Sequence, residues 1–217
     1  MYNLIMKDVK LGVPFIFFLF PVLMGALMLI PGWIYFIVLL YFCWITVPNL
    51  FNQFKAQNDL MFTSMMPVTK RNMVKARVLV IVGLELLHIL IAAIFGVFTM
   101  LLYPNLTYLF FPPNIGFWGL GMMMFAIFNI IFIPIFYKTA YKFGWALFFS
   151  VMAAMLFAGI AQWVGIQHPV VNDIFYGTGA EQVALQAIIL VTGIVIFAAF
   201  SIIAYRLAFR RFLRVEV

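Results

Sequence analysis

Six stretches of this sequence are long and apolar enough to cross a lipid bilayer: residues 11–30, 33–51, 78–102, 116–136, 144–164 and 183–205. A hydrocarbon core about 30 Å thick calls for roughly 20 consecutive apolar residues per helix. In lipid, only helices and closed barrels satisfy their own backbone. The pattern points to an all-α, polytopic membrane protein of six transmembrane helices, with residues 1–217 forming a single transmembrane domain. Composition removes the alternatives: 9% of the residues are charged and 67% hydrophobic, against about 25% and 45–50% in soluble domains. A soluble enzyme, a nucleic-acid-binding domain and a disordered linker are excluded. Pro31-Gly32, a tight-turn dipeptide, joins the first two spans into a helical hairpin.

The few charges set the orientation. With six spans, the N-terminus, the connections two–three and four–five, and the C-terminus share one side. That side carries all 13 basic residues: Lys7, Lys10, Lys55, Lys70, Arg71, Lys75, Arg77, Lys138, Lys142, Arg206, Arg210, Arg211 and Arg214. Asp173 and Glu181 lie on the other. By the positive-inside rule the basic side is cytoplasmic, and so are both termini. The net charge of +7 thus reads as topology and contact with anionic lipid, not as a nucleic-acid footprint. Lys7 and Lys10 precede an apolar run, but the run is long and a second span follows at once, so it reads as a retained helix rather than a signal peptide.

The connection from Asn52 to Arg77 holds five of the basic residues. Pro67 closes the element before it, and Thr69 is placed to cap a helix starting at Lys70. Met73, Val74 and Arg77 then recur at helical spacing beside Lys70, Arg71 and Lys75. The spacing predicts a short basic amphipathic helix at the membrane surface that runs into the third span; a simple interfacial anchor has the same pattern. Residues 1–10 also suit the membrane surface, residues 206–214 an extension of the sixth helix, and Ile166 to Tyr176 a short helix on the outer side.

Within the spans, Glu85 is the one formally charged residue, with His88 one turn on along the same helix face. A carboxylate there costs roughly 2.5–3.5 kcal/mol on insertion scales, which marks it for function. Three readings stand open: a proton relay, part of a polar path for cargo, and a hydrogen-bonded link between helices. On the fifth span, Ser150, Ala154, Ala158 and Gln162 recur every four residues, a spacing that lets helices approach closely. That stripe suits packing within one chain or a dimer face.

Other chemistry is missing from the sequence. No G-x-x-x-x-G-K-[ST], H-E-x-x-H or G-x-S-x-G occurs, and the six acidic residues are scattered. The single Cys43 excludes a disulfide within the chain and a cysteine metal cluster. These observations favour a subunit that moves something over one that makes or breaks bonds.

The layout and one motif carry a resemblance. Met66-Pro67-Val68-Thr69-Lys70-Arg71 with Met73-Val74, in the loop after the second of six spans, resembles the coupling segment of type-2 membrane permeases of ATP-binding-cassette (ABC) exporters. It is most similar to the small bacterial subfamily of phenol-soluble modulin exporter permeases, with Met65 where that subfamily carries serine. The resemblance implies a permease of the bacterial cytoplasmic membrane that pairs with a second permease, identical or related. It implies a separate cytoplasmic ATPase that binds ATP and Mg, leaving no cofactor in this chain. Residues 69–77 would be the coupling helix, and the cargo an amphipathic or hydrophobic peptide. From the residues alone, the competing reading is an ion- or proton-coupled carrier working through Glu85 and His88.

Overall fold

A computed structural model describes residues 2–13, 16–139 and 142–214, and every regular element among them is helical. Helix α1 (Tyr2–Gly12) is set off from the next helix by a bend. It buries Leu4, Asp8 and Gly12, one face at a spacing of four. Gly12 is required there, because a Cβ would lie 2.4 Å from the Phe54 ring. Val13, the residue before Pro14, is no longer helical, in keeping with the clash a proline imposes on its predecessor. Among the described residues, five helices are long and apolar enough to cross a membrane, and a sixth span, expected over residues 11–30, is present if the bent pair of α1 and the segment after it counts as one. That segment is α2 (Ile16–Ala26) and a 3-10 turn, Leu27–Leu29, with its axis 67° from that of α1. Pro14 itself lies outside the described residues.

Gly32 closes the hairpin at φ +73, a left-handed conformation that suits glycine. The second span, Phe36–Ala56, is one rod of three pieces: α3 (Phe36–Tyr41), a π-helical segment Phe42–Thr46, and α4 (Val47–Ala56). A short α5 (Asp59–Ser64) follows. Helix α6 then runs unbroken from Lys70 to Leu102, so the basic segment forms the first two turns of the third span. Thr69 caps it, its hydroxyl accepting from the Asn72 amide at 3.3 Å. The remaining elements are α7 (Ile115–Lys138), α8 (Phe143–Gln167), the short α9 (Pro169–Tyr176) and α10 (Ala180–Phe212). The last of these carries the basic tail as a direct extension of the sixth span.

The bundle is organised around α7. The protein covers 61% of its most apolar stretch, against 22% for α8 and α10, which leave most of their surface exposed on the outside of the bundle. Between α7 and α10 the backbones touch: a Cβ on Gly119 would sit 2.5 Å from the Ile189 carbonyl, and one on Gly193 2.3 Å from that of Gly119. With lipid as apolar as leucine, such close approach and its dispersion contacts drive helix association. Phe51 wedges into the other flank of α7, its ring centroid 4.4 Å from Phe136 and 5.1 Å from Phe132. At the end away from the basic residues, Asn114 caps α7 through the Phe117 amide and donates to the Phe175 carbonyl at 2.6 Å, which fixes α9 over the bundle.

Candidate functional site

At the basic end, three elements meet in a buried ion cluster. Arg77, 5% exposed, donates from Nε to Asp8 Oδ2 at 2.8 Å and from Nη2 to Asp59 Oδ2 at 2.5 Å. Its guanidinium lies 3.5 Å over the Phe54 ring. Lys7 Nζ donates to Asp59 Oδ1 at 2.5 Å and to Thr63 Oγ1 at 2.6 Å, and stands 3.1 Å from Asp8 Oδ1. Two cations and two carboxylates cancel, so burial carries no net charge. Burial alone would raise the Asp59 carboxyl, but Arg77 and Lys7 outweigh it and hold it below its ordinary value. The cluster ties α1 and α5 to the base of α6. The lone acids Asp8 and Asp59, set among basic residues, were the sequence signal for it.

The segment expected to couple to an ATPase divides into two faces. Pro67, Thr69 and Arg71 are exposed, and Val68, Lys70 and Met73 are half-buried. Val74 and Arg77 point into the protein. Arg71 Nε donates to the Tyr205 hydroxyl at 3.2 Å, and Lys70 Nζ lies 5.3 Å over the Phe212 ring, so this segment also grips the end of α10. Beside it, Met61, Phe62 and Met65 are 61%, 56% and 71% exposed. Hydropathy within the connection did not single them out, because which face of α5 points outward depends on the burial of Asp59 and Thr63.

Mid-membrane, Glu85 is fully buried and accepts from Asn129 Nδ2 of α7 at 2.7 Å. His88 bonds a different helix, Nε2 donating to the Val38 carbonyl of the second span at 2.9 Å. Glu85 Oε1 and His88 Nδ1 have no hydrogen-bond partner among the described residues. The two residues thus link α6 to two neighbours. Asn129 was the missed member; a lone amide in a run of Met, Phe and Ile was its signal.

Ser150, Ala154, Ala158 and Gln162 face into the same chain, and Gln162 Oε1 accepts from the Phe111 amide at 3.4 Å. One edge of that stripe borders a groove of about 450 Å³ between the second span and α8. Ile37, Leu40, Trp44, Met155 and Gly159 line it, with Ala158 and Gln162 at its floor.

A bundle of long apolar helices with its basic residues gathered at one end has the form of a polytopic membrane protein, and the family comparison agrees. Residues 3–212 match the family described as ABC-2 family transporter protein. The chain belongs to the ABC-2 transporter family. No curated protein and no solved structure matches it. As an ABC-2 protein it is a multi-pass subunit of the bacterial plasma membrane, and the family implies a partnering ATPase and permease.

Proposed function

We propose that this ABC-2 protein is the permease of an exporter driven by a cytoplasmic ATPase that docks on the connection between its second and third spans. The observation that carries the reading is the pairing of Met61, Phe62 and Met65 with Lys55, Arg71 and Lys75 on one exposed end. Large apolar side chains clustered among cations mark a surface that a partner covers. The matching surface is an apolar cleft rimmed by acidic residues. Pro67, Val68, Thr69, Lys70, Arg71 and Met73 belong to this docking face, while Val74 and Arg77 act behind it.

The ion cluster makes the docking end stiff. Displacement of α5 pulls on Arg77, which is bonded to α1, and the grip of Arg71 and Lys70 on Tyr205 and Phe212 passes it to α10. ATP and Mg are held by the ATPase, whose cycle biases the bundle between two conformations. A second copy or a related permease completes the pathway, anionic lipid surrounds the basic end, and nucleic acid has no part. The cargo is an amphipathic or hydrophobic peptide; the subfamily resemblance and the apolar groove beside α8 support it.

The test is co-expression with a candidate partner ATPase, sought first among the Walker-motif proteins encoded near this gene. Phe62→Glu and Arg71→Glu are expected to reduce copurification and cargo-stimulated ATP hydrolysis at least tenfold in a protein that still folds. Unchanged binding and activity in both variants would overturn the docking assignment.

A further inference from the structure

Around Glu85 the helices bury three acceptors that no donor among the described residues meets. Glu85 and Asn129 are both fully buried, and Asn129 Nδ2 donates to Glu85 Oε2 at 2.7 Å. Glu85 Oε1 and Asn129 Oδ1 have no partner. An ionised carboxylate and an amide oxygen only accept hydrogen bonds, so neither atom can satisfy the other while Glu85 carries a charge. His88 adds the third. Its Nε2 donates to the Val38 carbonyl, which in a neutral ring leaves Nδ1 an acceptor, and Nδ1 is unpartnered too. Buried polar atoms are nearly always paired, so a group of exceptions needs a cause.

No bonded cation offsets a charge on Glu85. The apolar stretches packed along α6 are residues 16–26 of α2, 36–54 of the second span, 115–137 of α7 and 180–205 of α10, and none contains lysine or arginine. Arg77, on the same helix but about 12 Å away along its axis, gives Nε and Nη2 to Asp8 and Asp59. Lys7 of α1 is bound in that same cluster. His88 has no acceptor at Nδ1, so it is not held as an imidazolium. Cys43, the titratable side chain of the second span near this level, is a fully buried free thiol. A lone carboxylate sealed in an apolar interior is costly enough that the group takes up a proton instead.

We infer that Glu85 is a proton-binding site: its carboxyl is held as the neutral acid, donating from Oε1 to Asn129 Oδ1 while Asn129 Nδ2 donates to Oε2, a two-bond acid–amide pair that joins α6 to α7. The proton comes from solvent as the helices pack. It cancels the charge and turns Oε1 from an acceptor into a donor, so one ligand answers two of the three unpaired atoms. A carboxylic acid and a primary amide suit each other, since each presents a donor and an acceptor side by side. In a dry interior such bonds are electrostatically stronger than in water. A site of this kind keeps its proton in place rather than relaying it, which sets it apart from the proton-coupled carrier that the same residues suggested. It concerns this chain alone and stands or falls independently of the docking assignment.

Infrared spectroscopy of the full chain in lipid nanodiscs, at neutral pH and with isotope-labelled glutamate carboxyls, tests this. An exposed glutamate is ionised at that pH and gives no protonated-carboxyl band. Wild type is expected to show one such band, shifted by the label and by exchange into heavy water. Glu85→Gln, whose amide keeps a donor and an acceptor for Asn129, should lose the band in a folded protein. Asn129→Leu should keep it but move it up to the frequency of a carbonyl without a hydrogen bond, and His88→Gln should leave it in place. No such band in wild type would overturn the inference, because Glu85 would then be an ionised group bridged by water or paired with His88. A band that survives Glu85→Gln, or that Asn129→Leu leaves unmoved, would overturn it as well. A band moved by His88→Gln as far as by Asn129→Leu would refute the acid–amide pair.

Discussion

Arg77→Met is the sharpest single perturbation this structure offers. The substitution keeps an apolar stem of similar length over Phe54 but removes the charge-assisted bonds to Asp8 and Asp59. Both carboxylates are at most 4% exposed and would be left with Lys7 as their cation and the Thr63 hydroxyl on Asp59. Removing one partner of a buried ion group costs about 3–5 kcal/mol. With each 1.4 kcal/mol worth a factor of ten, local release of α1 should become roughly two to three and a half powers of ten more frequent. The assay is amide hydrogen exchange in nanodiscs: protection of residues 2–12 should fall by that factor while the middle of α10 stays unchanged. Lys7→Met leaves Arg77 bound to both acids and should cost only about tenfold. Replacing the whole cluster, with Lys7→Met, Asp8→Leu, Asp59→Leu and Arg77→Met together, should recover most of the protection, because neutral packing removes the desolvation penalty. The pH dependence has a fixed sign. Asp59 titrates lower when folded than when unfolded, so its contribution is complete above about pH 4 and disappears as pH falls through the depressed folded value. If α1 in Arg77→Met exchanges at the wild-type rate in a folded protein, the cluster does not hold α1 and the reasoning fails.

Three further outcomes follow from the packing. Gly119→Val or Gly193→Val should destabilise the bundle by about 3 kcal/mol or more, read as loss of monodisperse protein on heating, since either side chain drives α7 and α10 apart. Asn129→Leu should cost about 1–3 kcal/mol by leaving Glu85 unbonded, whereas Glu85→Gln keeps a side-chain carbonyl for Asn129 and should change the thermal midpoint little; equal losses would contradict a hydrogen-bonding role. Thr69→Ala should weaken the first turn of α6 by about 1 kcal/mol, seen as faster exchange at Asn72 and Met73 with the rest of α6 unaffected.

Features decided by near neighbours in the sequence were legible there. The turn at Gly32, the cap at Thr69, the basic extension of α10 and the short α9 each follow from a few adjacent residues, and the structure has them. What was not legible depends on segments far apart in the chain. Lys7 meets Asp59 across 52 positions and Arg77 meets Asp8 across 69, so Arg77, grouped with Met73 and Val74 on one helix face, had no visible partner in the sequence. The bend inside residues 11–30 was not legible for a related reason: Leu11 and Gly12 are apolar enough for lipid, but Gly12 is committed to Phe54. The π-helical turn leaves no mark on hydropathy at all, since a shift of one hydrogen-bond register changes neither the residues nor their average polarity. Pro48 and Asn49 were its only local signs.

These non-local bonds converge on one element. Helix α6 is continuous over 33 residues, and three of its side chains hold four neighbours: Arg77 binds α1 and α5, Glu85 binds α7, and His88 binds the second span at Val38. At 1.5 Å per residue, Arg77 and His88 are about 16 Å apart along the axis. Glu85 lies between them and bonds the central helix through a neutral amide, a contact that can slide or re-form without separating opposite charges. The charged and uncharged ends of α6 are thereby suited to different tasks. On the docking proposed above, the ion cluster takes up the load, whereas Glu85 and His88 hold their neighbours by single hydrogen bonds that can exchange.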